Sequence, residues 1–249
     1  MVRRLLSLFL ALIALPAAAK DELVLAMTQS PGTMNPVISS MLAKSLIQNM
    51  IARPITAYDP DWKLVCLLCV TLPSLDRKTA RLVALPDGKQ GIETDYTLKP
   101  MTWGDGVPVT ARDIAFTIDV GKHPQSGVAS AEGYKRIVRF DIKDDLNFTV
   151  TTDRVTFDYD GFDFQILPAH LEKPIFEANP AEYRTRTTYD TNPTNPGLAF
   201  GPYKIVELVP GNRIVLEQNP TWTGEKPHFK RIVVKIIENY FASGYHKFG

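Results

Sequence analysis

The sequence has little cysteine, little histidine and almost no net charge. Its 28 Lys and Arg residues nearly balance 27 Asp and Glu residues, for a net charge of +1. Such a chain has no strong field with which to recruit nucleic acid or an anionic membrane. Hydrophobic residues make up 45% of the 249, and 19 prolines outnumber 15 glycines. This composition excludes disorder, collagen and coiled coil, and it favours a globular, loop-rich protein over a helical bundle.

The sequence also has no apolar run of the roughly 20 residues that a membrane-spanning helix needs. The run Leu5–Leu15 is too short, and it stands between a basic start (Arg3, Arg4) and the small residues Ala17-Ala18-Ala19. This three-part pattern predicts a secretory signal peptide over residues 1–19, although a buried N-terminal helix would also explain it. The cleavage point has no cysteine, so a lipid anchor is not expected there. We therefore expect a soluble exported protein, with a bacterial periplasm as its destination.

The two cysteines form a C-x-x-C pattern, Cys66 and Cys69, inside an apolar patch. A thioredoxin-like redox site would need a strand before the pattern and a helix opening at it. Buried free thiols or a short local disulfide are the favoured alternatives. A zinc site lacks a second ligand pair, because the histidines are scattered: His123, His170, His228 and His246.

Turn residues and short apolar runs predict a body of strands and hairpins. Three hairpins are expected, around Pro86-Asp87-Gly88, residues 143–147 and Pro210-Gly211-Asn212. Alternation in the second arm of the first hairpin predicts a strand with one wet face. Ile92, Thr94, Tyr96 and Leu98 share one side of that strand, and Glu93, Asp95 and Thr97 share the wet side.

Further strands and two helices complete this prediction. Glu22–Met27 is expected as a buried first strand, residues 55–64 as a short strand and turn, and Arg231–Ile237 as a final strand. Apolar spacing predicts a helix over Val37–Ile51 that Pro54 stops. A second helix opens at Thr110 with a capping box in which Asp113 replaces the usual Glu, and its apolar stripe is Ala111, Ile114, Ala115 and Ile118.

Recognisable catalytic patterns are absent from the sequence. It contains no nucleophile elbow, no His-Glu-x-x-His, no phosphate-binding loop and no Gly-x-Gly-x-x-Gly. Asp158, Asp160 and Asp163 lie among aromatic residues, where a glycosidase-like carboxylate pair is conceivable. A capped surface or a packing edge explains them better. We therefore expect no catalytic residues, with a secreted hydrolase kept as an alternative.

Two long segments carry a family resemblance. The first, residues 103–116, reads WGDGVPVTARDIAF, and the second, residues 201–220, reads GPYKIVELVPGNRIVLEQNP. Both resemble signatures of the extracellular solute-binding proteins of the peptide/nickel type, family 5. The loop 30–36 and the stretch 61–73 fit the same family in the same order. Trp103 and the other motif residues are expected to be fold markers, with Trp103 packed in the core.

The resemblance implies an α/β (mixed α+β) fold, a type II-like lobe of a periplasmic binding protein with hairpins and a few helices. It implies a periplasmic substrate-binding component of an ABC importer that takes up a peptide or another small solute. The implied partners are that solute and an inner-membrane permease; no nucleic acid, no cofactor and no metal are expected, and the protein is expected to be a monomer. The ligand-binding residues are expected to be Thr33, Met34, Asn35 and Phe200, although plain turn chemistry explains them as well.

Family members are roughly twice as long and close two lobes around their solute. The resemblance covers residues 20–239 as a first lobe, and residues 240–249 depart from the family pattern. We expect a truncated copy that lacks its second lobe and binds its solute poorly. A non-binding periplasmic module that contacts a permease is a further alternative.

Overall fold

The computed structural model describes residues 21–237, which form ten strands and six helices. The predicted signal peptide and the tail 240–249 lie outside the described residues. In residues 21–237 no helix is both long and apolar enough to cross a membrane. The strands are β1 (Glu22–Met27), β2 (Thr56–Tyr58), β3 (Leu64–Cys66), β4 (Ala80–Ala84), β5 (Gln90–Thr97), β6 (Ile137–Ile142), β7 (Asn147–Thr152), β8 (Tyr203–Val209), β9 (Arg213–Gln218) and β10 (Arg231–Ile236). The helices are α1 (Leu42–Ile51), α2 (Ala111–Lys122), α3 (Glu132–Lys135), α4 (Ala169–Ala178), α5 (Tyr183–Arg186) and α6 (Thr188–Thr191).

The first sheet joins the beginning of the described chain to its end. Its strand order is β1-β10-β9-β8, with β1 parallel to β10 and the other pairs antiparallel. The predicted turn at Pro210-Gly211-Asn212 connects β8 to β9, and Gly211 adopts the positive φ of 68° that such a turn favours. The strand prediction for Glu22–Met27 is confirmed, but its predicted burial is wrong. Val24 is 51% exposed because β1 is an edge strand with one neighbour.

The second sheet is antiparallel throughout, in the order β4-β5-β7-β6. Its two predicted hairpins are confirmed, and Gly88 turns the first of them with a φ of 79°. Its inner face is aromatic, with the Phe148 ring 5.0 Å from Phe140 and 5.4 Å from Tyr96 between centroids. Stacking of this kind adds to the apolar area that the rings bury.

The opposite face of the second sheet is not the wet face that alternation predicts. Glu93 is only 5% exposed, because one arginine from the neighbouring strand β4 and one from β6, on the far side of β7, cover it. Arg81 of β4 and Arg139 of β6 each form a salt bridge with the Glu93 carboxylate. Arg81 also pairs with Asp95 at 2.6 Å, so the charges form a connected network across the strands.

Two helices show how local signals succeed and fail. Helix α2 begins as predicted, with Thr110 accepting a hydrogen bond from the Arg112 amide and the Asp113 carboxylate accepting one from the Thr110 amide. Helix α1 begins five residues later than the predicted Val37, because residues 37–41 form a loop. Leu42, one of the apolar residues whose spacing predicts this helix, is 73% exposed.

The hairpin of β2 and β3 is tied down at its end by a disulfide between Cys66 and Cys69. Of the alternatives for this pair, the structure therefore has the local disulfide. Cys69 is fully buried and forms an isolated bridge with Leu98 next to the second sheet. The disulfide thus holds a short hairpin, of a size that is marginal alone, against the larger fold.

Trp103 is packed in the core, as expected. Its ring is fully buried, its indole N–H donates to Asp113 at 3.4 Å, and Phe200 meets it edge-on at 4.6 Å. Gly104 beside it leaves no room for a side chain, because a Cβ there would lie 2.4 Å from the Pro196 carbonyl oxygen. The first family-like motif is therefore a packing motif.

Candidate functional site

A polar groove opens beside the loop that leads into α1. We name it the loop groove and define it by three walls: residues 36–40, residues 129–134 and residues 163–165. It encloses about 310 Å³ and is open on one side. Its polar lining includes Ser39, Ser40, Lys44, Ser130, Tyr134, Asp163 and Gln165.

The first wall is folded by its own side chains and by one distant segment. The Asn35 side-chain oxygen accepts a hydrogen bond from the Val37 amide at 3.0 Å, and the Thr33 hydroxyl accepts one from the Asn35 amide at 3.1 Å. Such short-range bonds make compact turns. Ile38 then bridges Val128 in antiparallel fashion, and the Ala129 amide donates to the Val37 carbonyl. The first two walls are therefore one connected surface.

Lys44 supports this wall from below. Its side chain is almost fully buried, and its ammonium donates to backbone carbonyls of the wall at 2.5 to 3.2 Å. Burial lowers the pKa of Lys44 to about 8. The charge is thus kept out of water by the loop that it binds.

A second buried network holds the wall from the other side. The side-chain nitrogen of Asn35 donates to the Tyr183 hydroxyl at 3.4 Å, and that hydroxyl donates to the Glu172 carboxylate at 2.8 Å. The other Glu172 oxygen accepts the Thr188 amide at 2.8 Å. Burial raises the pKa of the Glu172 carboxyl, against the hydrogen bonds from Thr188 and Tyr183 that lower it. Helices α4 to α6 are thereby connected to the wall of the groove.

The far rim of the groove is aromatic. Tyr134 stacks on Phe164 with 4.4 Å between ring centroids, and Gly133 allows this approach because a Cβ there would lie 2.9 Å from Phe164. Burial raises the pKa of Tyr134 to about 12, and its hydroxyl can donate at neutral pH, as that of any tyrosine can. The buried side-chain oxygen of Gln165 has no hydrogen-bond partner among the described residues. The groove therefore offers an aromatic rim and hydroxyls to a small polar molecule.

The four residues predicted to bind ligand lie in two places. Thr33 is partly exposed, whereas Met34 and Asn35 are buried next to the first wall, and none of the three lines the loop groove. Phe200 is buried elsewhere, against Trp103. The connection between them is α1: Gln48 of that helix donates to the Met34 carbonyl, and the Ile51 carbonyl accepts the Phe200 amide. Their role as ligand contacts stays a prediction.

Sequence reasoning missed Lys44, Tyr134, Tyr183 and Glu172. A single lysine in a predicted helix is ordinarily a surface residue, so Lys44 attracted no attention. One signal could have found it: Lys44 and Gln48 complete the spacing of the buried residues Ile47 and Ile51 along one helix face. Tyr183 and Glu172 reach the loop only through tertiary folding and leave no local pattern.

The aspartates considered for a hydrolase lie in an adjoining cavity of about 160 Å³. Asp158 and Asp163 line it together with Arg136, while Asp160 presents its backbone carbonyl to the Tyr96 hydroxyl at 3.0 Å. Asp160 is not part of the lining. Within residues 21–237 no group of three or more His, Cys, Asp or Glu side chains could hold a metal ion.

Comparison with known families gives a match over residues 88–242, more than half of the chain. The matching family is described as "Bacterial extracellular solute-binding proteins, family 5 Middle". Both family-like motifs fall inside this match. Because this match is made on the sequence, it is evidence for the family in addition to the fold.

Individual relatives agree with this family. A protein of Brucella melitensis named as a binding protein is 31% identical over 156 residues, which cover 59% of this chain and 22% of the relative. The probable D,D-dipeptide-binding periplasmic protein DdpA of Escherichia coli is 25% identical over 247 residues, covering 90% of this chain and 41% of the relative. The chain spans less than half the length of these relatives.

A solved structure shows the same fold. The oligopeptide-binding protein of Thermus thermophilus, complexed with a pentapeptide, superposes with a TM-score of 0.78 and 25% sequence identity. The superposition covers 88% of this chain and 42% of the Thermus chain. The expected mixed α/β fold of the periplasmic binding protein kind is confirmed.

Proposed function

Because the chain belongs to family 5 of the bacterial extracellular solute-binding proteins, we propose that it is the solute-binding component of an ABC importer for peptides or related small solutes. This family binds substrates and in general does not catalyse reactions. The D,D-dipeptide-binding and oligopeptide-binding relatives support a peptide as the solute class. The single observation that carries the proposal is the loop groove, a polar concave surface. The buried side chains of Lys44 and Asn35 hold the loop that forms its first wall.

The position of the groove suits a solute that is shared with a second lobe. The loop that forms its first wall begins where β1 ends, and there the Ile237 amide donates to the Met27 carbonyl at 2.7 Å. The carboxyl ends of the parallel strands β1 and β10 are thus neighbours. A chain that continues past β10 would leave this lobe at the end of β1, where the loop that leads to the groove wall begins. Ligand sites are common at such strand ends and between lobes.

We propose that the surface described by residues 21–237 binds solute weakly by itself. The groove is open to water on one side, so a peptide in it would keep much of its surface hydrated. Each loss of about 1.4 kcal/mol weakens affinity about tenfold, and losing half of the contacts costs several such steps. Millimolar rather than micromolar affinity is the expected result. Thr33 is the predicted ligand contact that solvent reaches in this lobe.

Export and partnership belong to the same proposal. Residues 1–19 serve as a cleaved signal peptide, the mature chain works as a monomer in the periplasm, and an inner-membrane permease receives its solute. The near-neutral charge of the chain is compatible with these roles and gives no reason to expect a nucleic-acid partner.

A nuclear magnetic resonance titration with a defined tripeptide mixture tests the proposed groove. Amide shifts of residues 36–40 and 129–134 should move, with a dissociation constant of about one millimolar. Ser40→Trp, which places a large ring in the groove, should abolish these shifts. Thr71→Trp, an exposed loop position outside the groove, should leave them unchanged.

Equal binding by the Ser40→Trp variant would exclude the groove as the solute site. Micromolar affinity of the whole 249-residue chain would contradict weak binding while keeping the function. Cleavage of the probe, lost on Asp158→Asn, would favour the secreted hydrolase instead.

A further inference from the structure

Lys44 stands where a lysine is normally unfavourable. It is the third residue of α1, next to the positive end of the helix dipole, and it is almost fully buried. A buried ammonium needs a partner, because removing an unpaired charge from water costs several kcal/mol. Within residues 21–237 no carboxylate is paired with it, and burial lowers its pKa.

Backbone carbonyls take the place of that carboxylate. The Lys44 ammonium lies 2.5 Å from the carbonyl oxygens of Ile38 and Ser39 and 2.8 Å from that of Asn35. A fourth oxygen, from Pro36, lies at 3.2 Å. The three protons of the ammonium therefore satisfy oxygens from both ends of a five-residue loop, as a bound cation would.

The loop itself needs such a cation. Four carbonyl dipoles converge on one point, and they would repel one another if the positive charge were removed. Ser39 adopts a left-handed backbone conformation with a φ of 61°, which is uncommon for a residue with a side chain. Helix α1 has no side-chain cap from Met41 to hold its start. The conformation of residues 35–39 is therefore held from within α1.

We propose that Lys44 is the positioning residue of the solute groove, whose ammonium holds the carbonyls of residues 35–39 together and so fixes Ser39 and Ser40 in the groove wall. The importance of this wall for solute rests on the proposed function, whereas the order of the loop can be measured without any solute. Lys99 provides a natural comparison. It also donates to two carbonyls, those of Cys66 and Leu67, but at 3.4 and 3.2 Å and on the surface.

Amide hydrogen exchange of the full chain tests the proposal. In Lys44→Met, the Asn35 and Val37 amides, which are hydrogen-bonded within the loop, should exchange at least about tenfold faster, while those of β9 keep their native protection. Lys44→Arg, which keeps the charge and the donors, should retain most of the protection. Lys99→Met, the matched control, should leave the exchange of both amides unchanged.

Chemical rescue separates the ammonium from the rest of the side chain. Ethylammonium chloride added to Lys44→Ala should restore the protection of the Asn35 and Val37 amides, and sodium chloride at the same concentration should not. Native exchange of the loop in Lys44→Met would overturn the proposal. Equal acceleration in the loop and in β9 would overturn it as well, because Lys44 would then be a general stabiliser.

A separate tripeptide titration keeps this proposal distinct from the proposed function. If the native chain binds no peptide but Lys44→Met still releases the loop, the positioning role stands and the proposed function fails. If the native chain binds peptide and Lys44→Met binds it equally well with a native loop, the function stands and the positioning role fails.

Discussion

The two four-stranded sheets of this molecule treat their outer surfaces in opposite ways. The second sheet, β4-β5-β7-β6, covers its outward face with paired charges, and arginines shield Glu93. The first sheet, β1-β10-β9-β8, ends in β1 with the apolar side chains of Val24 and Leu25 exposed. The second sheet pairs the charges of its outward face, whereas β1 exposes apolar side chains without such a network; the edge strands β4 and β6 of the second sheet also expose Leu82 and Val138.

This difference shows where the fold's stability should be concentrated. The second sheet combines an aromatic inner face with an ion-pair network outside, so both of its faces contribute. At β1, one neighbour supplies the hydrogen bonds and solvent covers much of the rest. Exposed edge strands are surfaces at which other chains can add. Mutations in the two places should therefore have unequal effects, and three experiments compare them.

The largest effect is expected at Phe148, in the middle of the aromatic cluster. Phe148→Ala removes a fully buried ring in contact with Phe140, Tyr96 and Phe162. The loss should lower the free energy of unfolding by about 3 to 5 kcal/mol. Urea unfolding followed by circular dichroism measures this change. A loss below about 1 kcal/mol would show that the aromatic face does not hold the second sheet.

An intermediate effect is expected from the charges on the outer face of the second sheet. Burial by itself would raise the pKa of Asp95, but hydrogen bonds from Lys143, Thr149 and Arg81 outweigh it and lower the pKa to about 2. A carboxyl with a lowered pKa stabilises the fold above its ordinary pKa of 3.8, and this contribution is lost as the pH falls from 3.8 towards 2. Because the site touches solvent, we expect about 1 to 2 kcal/mol.

The control for Asp95 is Asp95→Asn, which cannot ionise. Its stability relative to the native chain should be lower by this amount at pH 7, and the difference should shrink between pH 3.8 and 2. Urea unfolding at a series of pH values measures both chains. A difference that stays constant down to pH 2 would contradict the assigned role of the network.

The smallest effect is expected at the edge of the first sheet. Val24→Thr keeps the branched shape but makes the exposed side chain polar, so the free energy of unfolding should change by no more than about 0.5 kcal/mol. Urea unfolding of both chains measures this change. A loss of about 2 kcal/mol or more would mean that β1 is as well buried as the second sheet.

The sequence was sufficient where the determining contacts are local. The capping box at Thr110 and Asp113 places α2, and the turns at Gly88 and Gly211 place two hairpins, because each signal lies within a few residues. It failed where distant strands decide. Whether β1 is buried depends on strand order, and whether Glu93 is wet depends on arginines 12 and 46 residues away.

The candidate site follows the same division. The loop 30–36 could be selected from its turn residues and its family resemblance, and its Asx turn at Asn35 is indeed local. The groove itself needs Val128 and Tyr134 from a segment about 90 residues later, and no pattern in the loop announces them. Sequence reasoning did not identify Lys44, because the proposed role of this lysine depends on backbone carbonyls. Every residue has a carbonyl, so no distinctive partner marks the site in the sequence.

The pairing of β1 with β10 has a consequence for biosynthesis. A ribosome releases the amino end first, yet β1 must wait for a partner from the far end of the described chain, and Asp21 meets Lys230 across 209 residues. Closing so long a loop is slow, so the nascent chain keeps its first strand unpaired until β10 has been synthesised. A polypeptide whose first strand is still unpaired has not completed its fold. A secretion channel accepts chains in such an incompletely folded state.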